Sequence, residues 1–532
     1  TLMKFSEFPF YKPDINIVSK NFENLIQKFD ESKSFEEQDV IFLEIDELRK
    51  DYQVMQEISE VRFSSDTTNE EYEKDLDYFD FNSPIFLSLE KKYFEHFNKS
   101  KYLKQYDEKY GKHLSKNYAL RALMFSDGLE DEYREESSLE NEFKKLKSGA
   151  VILFDGKEMS LPGMMSYRDS PDREMRKNSM DASFDFYFSK KDRVAVIFDD
   201  LVKLRTKMAK KLGFDNYVGL AYILREKEYS PSDIKIFRGN LIKYFVPLAA
   251  KLRERQRNRI GVERMMYYDK DLQFKTGNPK PKGDAEWILE KGIEMYCNLS
   301  PETKEFITYM SENELMDLQG RKGKRGGGFS TFFYKYRAPY LFANMKGMGS
   351  DVDLLTHEAG HAFQSYLCRN YTLEVDMDAT FDACEIHSFG MEYLTYDYMN
   401  LFFGEDTDKF HFKHIQDKVE ETLDSSQNDE FQEIIYSNPH LSIEERCKIW
   451  NDLTAKYIPG IDNSGNELLS NGLLWQSRTI LYDSPFYAIE YALAQIVAYQ
   501  FLFKKKENHE KAFKEYVEFC KLGGKYTFSE SL

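Results

Sequence analysis

From about residue 14 to 148, apolar side chains recur three and four positions apart among charged and aromatic neighbours, as at Phe22, Leu25, Ile26 and Phe29. That spacing lays an apolar stripe along one side of a helix, so amphipathic helices are expected throughout. The pattern breaks at "AVILFDGKEMSL" (150–161), where two short apolar runs flank Asp155-Gly156. This dipeptide tolerates positive φ in a tight turn, and a small hairpin is expected there. Helical periodicity returns in "DDLVKLRTKMAKKLGF" (199–214) and continues to about residue 262. The Gly/Pro-rich "KTGNPKPKG" (275–283) reads as the clearest linker, and "GRKGKRGGG" (320–328) as a second, flexible and basic loop. It leads into "FSTFFYKYRAPYLFANM" (329–345), whose aromatics suit a strand. Pro339 has no N–H to give a ladder, so this run is expected at a sheet edge or in an edge hairpin. No internal repeat or low-complexity tract is visible.

A chain of 532 residues has room for one large core or two moderate ones with a cleft between them. Acidic residues outnumber basic ones by 92 to 74, a net charge of −18, which argues against nucleic acid or an anionic membrane surface as partner. The five cysteines are odd in number, dispersed and in no CxxC pair, so neither a disulfide framework nor a structural zinc module is expected. A reducing compartment fits that usage. The opening "TLMKFSEFPFYKPD" lacks the basic and apolar regions of a leader, and no run of about eighteen apolar residues occurs. A cytoplasmic protein without membrane association is therefore expected.

The chemistry concentrates in "LTHEAGHAFQ" (355–364), where His357 and His361 are four apart and Glu358 follows the first. Residues four apart share a helix face, so both imidazoles can converge on one ion at about 2.0–2.1 Å. With nine histidines in the chain, a random HExxH is expected about 0.01 times, which sets chance aside. Ser350 and Asp353 resemble a capping box that would start this helix. A hydrolytic zinc takes three protein ligands and keeps one open position. The next segment, "FDACEIHSFGMEYL" (381–394), offers Glu385 and Glu392 on one face with Ser388 and Phe389 between them. Glu385 follows His361 by 24 residues, enough for a helix to end, turn and return antiparallel. It is the expected third ligand; Glu374, Asp376 and Asp378 compete but read as the connecting loop. Glu392 is expected to accept the free ring N–H of a ligand histidine. His387 lies about 200° round the helix from Glu385 and reads as structural. His411 and His414 read as an amphipathic face, and the glycines 326–328 lack the lysine and serine of a phosphate loop.

"TFFYKYRAPYLFANMKGMGSDVDLLTHEAGHAFQSY", followed by "DACEIHSFGMEYL", resembles the M3 family of zinc oligopeptidases, in its oligoendopeptidase F branch. "FDGKEMSLPGM", "LRTKMAKKLGFDNYVGL", "YYDKDLQFKTGNPKPKG", "LMDLQGRKGKRGGGF" and "DSPFYAIEYALAQIVAYQF" fall in the family's order. The resemblance implies a mostly α, two-lobed body with a deep central channel and a small antiparallel sheet beside the metal. It implies one zinc (Zn2+) per chain on His357, His361 and Glu385, with Glu358 as general base, and short unstructured peptides cut at internal bonds. Tyr487 and Tyr491, four apart, match a segment from which the family draws tyrosines to stabilise the oxyanion. The backbone of Tyr340, Phe342, Ala343 and Asn344 is expected to pair with extended substrate. Gly347 and Gly349 would allow its close approach, or simply form a turn. Relatives commonly carry a histidine where Ile480 stands, so a weakly catalytic peptide-binding protein is an alternative, as is a zinc exopeptidase. Relatives also continue beyond the point matching Leu532. An N-terminal helical region (1–190) and a catalytic region (191–532) are expected, with a soft boundary and lobes that mix the two halves.

Overall fold

The structure, a computed structural model, describes residues 3–124 and 128–532. Most of these residues are helical, and helix starts follow local chemistry. Asp14, Ser34, Asn69 and Asp172 each accept a hydrogen bond from a backbone N–H of the first turn that follows. In the helix Ile15–Glu31, Phe22, Ile26 and Phe29 are buried, which is the stripe that the spacing predicts. The hairpin also forms. β1 (Ile152–Phe154) pairs antiparallel with β2 (Lys157–Met159), and Asp155 and Gly156 turn the chain at φ of 51° and 71°. Two consecutive positive φ angles are those of a type I′ turn.

The chain divides into two compact units. The first comprises Thr1–Phe125, Lys280–Thr407 and Ala494–Leu532; the second comprises Ser126–Pro279 and Asp408–Leu493. One crossing falls between Pro279 and Lys280, inside the Gly/Pro-rich run. No crossing falls at residue 190, because one helix, Arg173–Lys211, passes through it within the second unit. A change of periodicity marks an element; which elements share a core is settled by packing.

The first unit holds a three-stranded sheet of β3 (Met316–Gln319), β4 (Phe329–Phe333) and β5 (Ala338–Met345) in the order β3-β5-β4. The run 329–345 forms an edge hairpin, as expected, with β4 at the edge, but the expectation of a purely antiparallel sheet needs correction. The sheet is mixed, since β5 runs antiparallel to β4 but parallel to β3, and β5 is its centre strand. Pro339 is tolerated there because its missing N–H would face the β3 side, where β3 has not yet begun. Leu341, two residues on and facing the same way, donates the first bond across, to the Leu315 carbonyl at 2.9 Å. The basic run 320–328 is pinned. Lys324 Nζ donates to the Asp317 carboxylate at 2.8 Å and to the carbonyls of Asp317 and Gln319, while Arg321 also pairs with Asp317 and Arg325 with Glu60.

The acidic segment before the glutamate helix is spent on structure. Glu374 receives Arg49 at 2.8 Å and Arg121 at 3.2 Å, Asp376 faces His113 at 2.6 Å, and Asp378 accepts the Tyr334 hydroxyl. Burial pushes the Glu374 carboxyl up, but the two guanidinium groups outweigh it and hold the group at about 2. Its folded pKa is depressed, so its contribution to stability is present above about pH 4.5 and is lost as pH falls toward 2. Glu374→Gln should cost about 3 kcal/mol at pH 7 in denaturant unfolding, and the gap to wild type should close in acid. A gap that is constant with pH would contradict this. Among the described residues no helix is long and apolar enough to cross a membrane.

Candidate metal centre

The helix Gly349–Cys368 carries His357, Glu358 and His361 and starts directly after β5. Its start differs from the expected Ser350/Asp353 box. Asp351, in the first turn, accepts the N–H groups of Lys346, Gly347 and Met348 at 2.7–2.8 Å, closing the turn in which Gly347 takes φ of 85°. Three donors on one carboxylate, next to a helix N-terminus, are a stronger clamp than a single serine cap.

The helix Phe381–Leu394 packs beside it. Position 357 faces 392, 360 faces 387–388 and 361 faces 385, so the two helices run antiparallel, as the spacing predicts. Glu385 Oε2 lies 3.3 Å from His357 Nε2 and 3.5 Å from His361 Nε2. Donors about 2.1 Å from a tetrahedral ion stand about 3.4 Å apart. Both glutamate–histidine distances fit that spacing, the three ligand atoms lie within 4.8 Å of one another, and among the described residues they form one potential metal-binding group. His357 Nδ1 meets Glu392 Oε1 at 2.7 Å, and the Ser388 hydroxyl donates to Glu385 Oε2 at 2.9 Å. Both glutamates are buried.

The electrostatics agree. Burial alone would strip the proton from His357, yet Glu385 and Glu392 outweigh it and push its pKa up to about 10. Burial raises Glu385, but the two imidazoles dominate and hold it well below the usual carboxylate range. Two buried carboxylates beside two histidines are a site in want of positive charge, which a divalent cation supplies. Glu358 is half-buried, and that burial lifts its carboxyl above the ordinary range while both imidazoles pull it down. It thus stands within electrostatic reach of both histidines.

Gly360 is the residue that motif reading missed. A Cβ there would sit 2.6 Å from the His387 carbonyl oxygen and 2.7 Å from Ser388 Cα. The two helices approach this closely only because position 360 has no side chain. The available signal was a glycine, a poor helix former, in the middle of a helix.

His387 is buried against Phe519, its carbonyl accepts the Tyr516 hydroxyl, and burial drops its pKa to about 3. It is a core histidine. His414 is buried on Phe410 in the helix Thr407–Ser437, which also carries His411. The strand expected to meet substrate is already paired within the sheet along much of its length. β4 occupies one side of β5 from 338 to 342, and β3 occupies the other from 341 to 345. Tyr340, Phe342 and Ala343 are buried, Asn344 is half-buried, Gly347 serves the turn, and Gly349 is the first residue of the histidine helix. Aromatic runs read the same whether they line a groove or fill a core. Tyr487 and Tyr491 lie in the second unit with ring centroids 4.9 Å apart, so they share a face as their spacing requires. Ile480 opens a short helix, Ile480–Asp483, in the same unit.

The model of the M3 peptidase N-terminal domain matches residues 5–125, and that of peptidase family M3 matches 166–532. The chain belongs to peptidase family M3. Within this family of metallopeptidases it falls in the oligoendopeptidase F branch. Oligopeptidase PepF of Bacillus subtilis (strain 168) is 24% identical over 387 residues, 69% of this chain and 55% of that one. The oligoendopeptidase F homolog of Borreliella burgdorferi is 29% identical over 250 residues, 45% of this chain and 41% of its own. These matches span about half the length of the curated relatives. A solved structure of PZ peptidase A with inhibitor 2 is 41% identical with a TM-score of 0.94, covering 99% of this chain and 94% of that one.

The candidate site also makes a prediction about Glu392. It fixes the His357 ring through Nδ1, so Glu392→Ala should weaken metal binding about 10–100-fold, read by competition with a chromogenic chelator. Unchanged affinity would make Glu392 an idle neighbour.

Proposed function

We propose that this M3 peptidase is a zinc-dependent endopeptidase that hydrolyses internal bonds of short, unstructured peptides. The observation that carries the proposal is the convergence of His357, His361 and Glu385, whose ligand atoms lie within 4.8 Å of one another, with Glu358 one residue after the first histidine. Zinc bound by these three residues would supply Lewis acidity toward water and the scissile carbonyl.

The protein's own groups do the remaining work. The Glu358 carboxylate takes a proton from the attacking water as its oxygen adds to the carbonyl carbon. It returns that proton to the amide nitrogen as the C–N bond breaks, leaving a carboxylic acid and an amine. Glu392 holds the His357 ring through Nδ1, and Ser388 holds the Glu385 carboxylate. Tyr487 and Tyr491 are assigned to donate phenolic hydroxyls to the oxyanion, a role that rests on the family's use of tyrosines in this segment.

The test is metal content by elemental analysis together with cleavage of a terminally blocked, internally quenched peptide of about ten residues, with and without chelator. One zinc per chain and chelator-sensitive internal cleavage are expected. Stoichiometric zinc without turnover would favour a peptide-binding protein and point to Ile480. Cleavage only at free peptide ends would make it an exopeptidase.

A further inference from the structure

Beneath the tyrosine pair, the second unit carries a buried charge cluster that the reaction scheme leaves unused. The helix Tyr217–Leu224 ends at Arg225, and Glu226 then turns the chain with φ of 52°. A left-handed glutamate is strained unless its surroundings impose the turn. The turn aims Arg225 and Lys227 at one carboxylate. Arg225 Nη2 lies 2.8 Å from Glu490 Oε2, Arg225 Nε donates to Oε1 at 3.3 Å, and Lys227 Nζ stands 3.2 Å from Oε1. The side chains of Glu490 and Lys227 are both fully buried. The neighbouring Asp429 is paired with Arg238 and lies within electrostatic reach of Lys227, and Lys227 Nζ also donates to the Tyr229 hydroxyl at 3.2 Å. Glu490 lies between the two tyrosines in sequence. The Arg225 guanidinium carbon stands 4.1 Å from the centroid of the Tyr487 ring.

We propose that Arg225 is a positioning residue for peptide hydrolysis. Fork-bound to Glu490 and in cation–π contact with the Tyr487 ring, it fixes where the phenolic hydroxyl points and strengthens that group as a donor. The inference rests on Tyr487 acting as an oxyanion donor. A planar guanidinium can grip a carboxylate edge-on and stack on a ring with its face at the same time; an ammonium cannot. Packing alone does not call for a buried carboxylate with two cations, since apolar residues of similar volume are often as stable.

The experiment is a double-mutant cycle on the zinc-loaded full chain, measuring kcat and KM on the quenched peptide. Arg225→Lys, which keeps a charge for Glu490, should lower kcat about tenfold with KM within about twofold. Zinc content and Tm should stay at wild-type values. In a Tyr487→Phe background the same substitution should change kcat less than about twofold, because the hydroxyl it aims is gone. An equal loss in both backgrounds would make Arg225 merely structural and overturn the inference. So would an unchanged kcat for Arg225→Lys where Tyr487→Phe lowers it. A Tyr487→Phe enzyme with full kcat would remove the tyrosine reading itself, and this inference with it. Arg225→Met, which keeps the packing volume, repeats the cycle if the lysine adopts a new partner.

Discussion

Glu358→Gln should keep its zinc and lose nearly all turnover. The substitution preserves shape and removes only the ability to accept a proton, and general-base groups contribute about 10²–10⁴-fold in rate. Glu358 is not among the three converging donors, so metal stoichiometry should remain one per chain. Its side chain is held near both histidines, so the amide should occupy the same place without disturbing the helix. The measurement is kcat on the quenched peptide alongside elemental analysis, with a loss of about 10³-fold or more expected. A variant that binds zinc and turns over within about tenfold of wild type would remove Glu358 from the proton path. Loss of zinc would make it a ligand.

Gly360→Ala should have the next largest effect, through geometry alone. Alanine favours a helix interior by about 1 kcal/mol, so on propensity the change ought to stabilise. The new Cβ, however, would meet the backbone of the facing helix at 2.6 and 2.7 Å, and neither the His387 carbonyl nor Ser388 Cα can rotate away. Carbon contacts settle near 3.5 Å, so the glutamate helix must move by about 1 Å. Glu385 lies three residues before Ser388 on that helix, and metal–oxygen bonds of about 2.0–2.2 Å do not stretch by such an amount. Overpacking costs about 1–3 kcal/mol in stability, and a displacement of that size about 10²-fold in rate. We expect zinc affinity, read by chelator competition, to fall at least tenfold, with Tm lowered. Wild-type affinity in the alanine variant would mean that the helices are not held at this distance.

These two predictions come from different sources. Glu358 was legible from five letters, because HExxH needs only helical periodicity to place three side chains. Glu385 and Glu392 were nearly as legible, since seven residues are close to two turns and both carboxylates must share a face. The hairpin at Asp155-Gly156 follows from local backbone preference alone. Gly360 was not legible, because what makes it necessary is the approach of a helix that begins 21 residues later. That Pro339 would lie on the inner strand of the edge hairpin was not legible for a similar reason. Pro339 excludes a donor at one position on one side, and whether that matters depends on where β3 begins. The basic loop 320–328 reads as flexible in the sequence because its compensating acids, Asp317 and Glu60, lie outside it, and Glu60 lies far away in the chain.

By itself the sequence determined whatever is set within a few turns of chain: helix starts, the tight turn, the two-histidine face and the two-glutamate face. It also carried enough of the family's pattern in order to reveal M3 membership. Only the tertiary structure decided which helix faces meet and how closely, which strand lies inside the sheet, and which charges are answered. Local preferences depend on neighbours that the chain itself supplies, within a few residues. The distance between two helices, or the partner of a buried carboxylate, depends on how distant segments exclude volume and satisfy one another's polar groups, and no single segment contains that information.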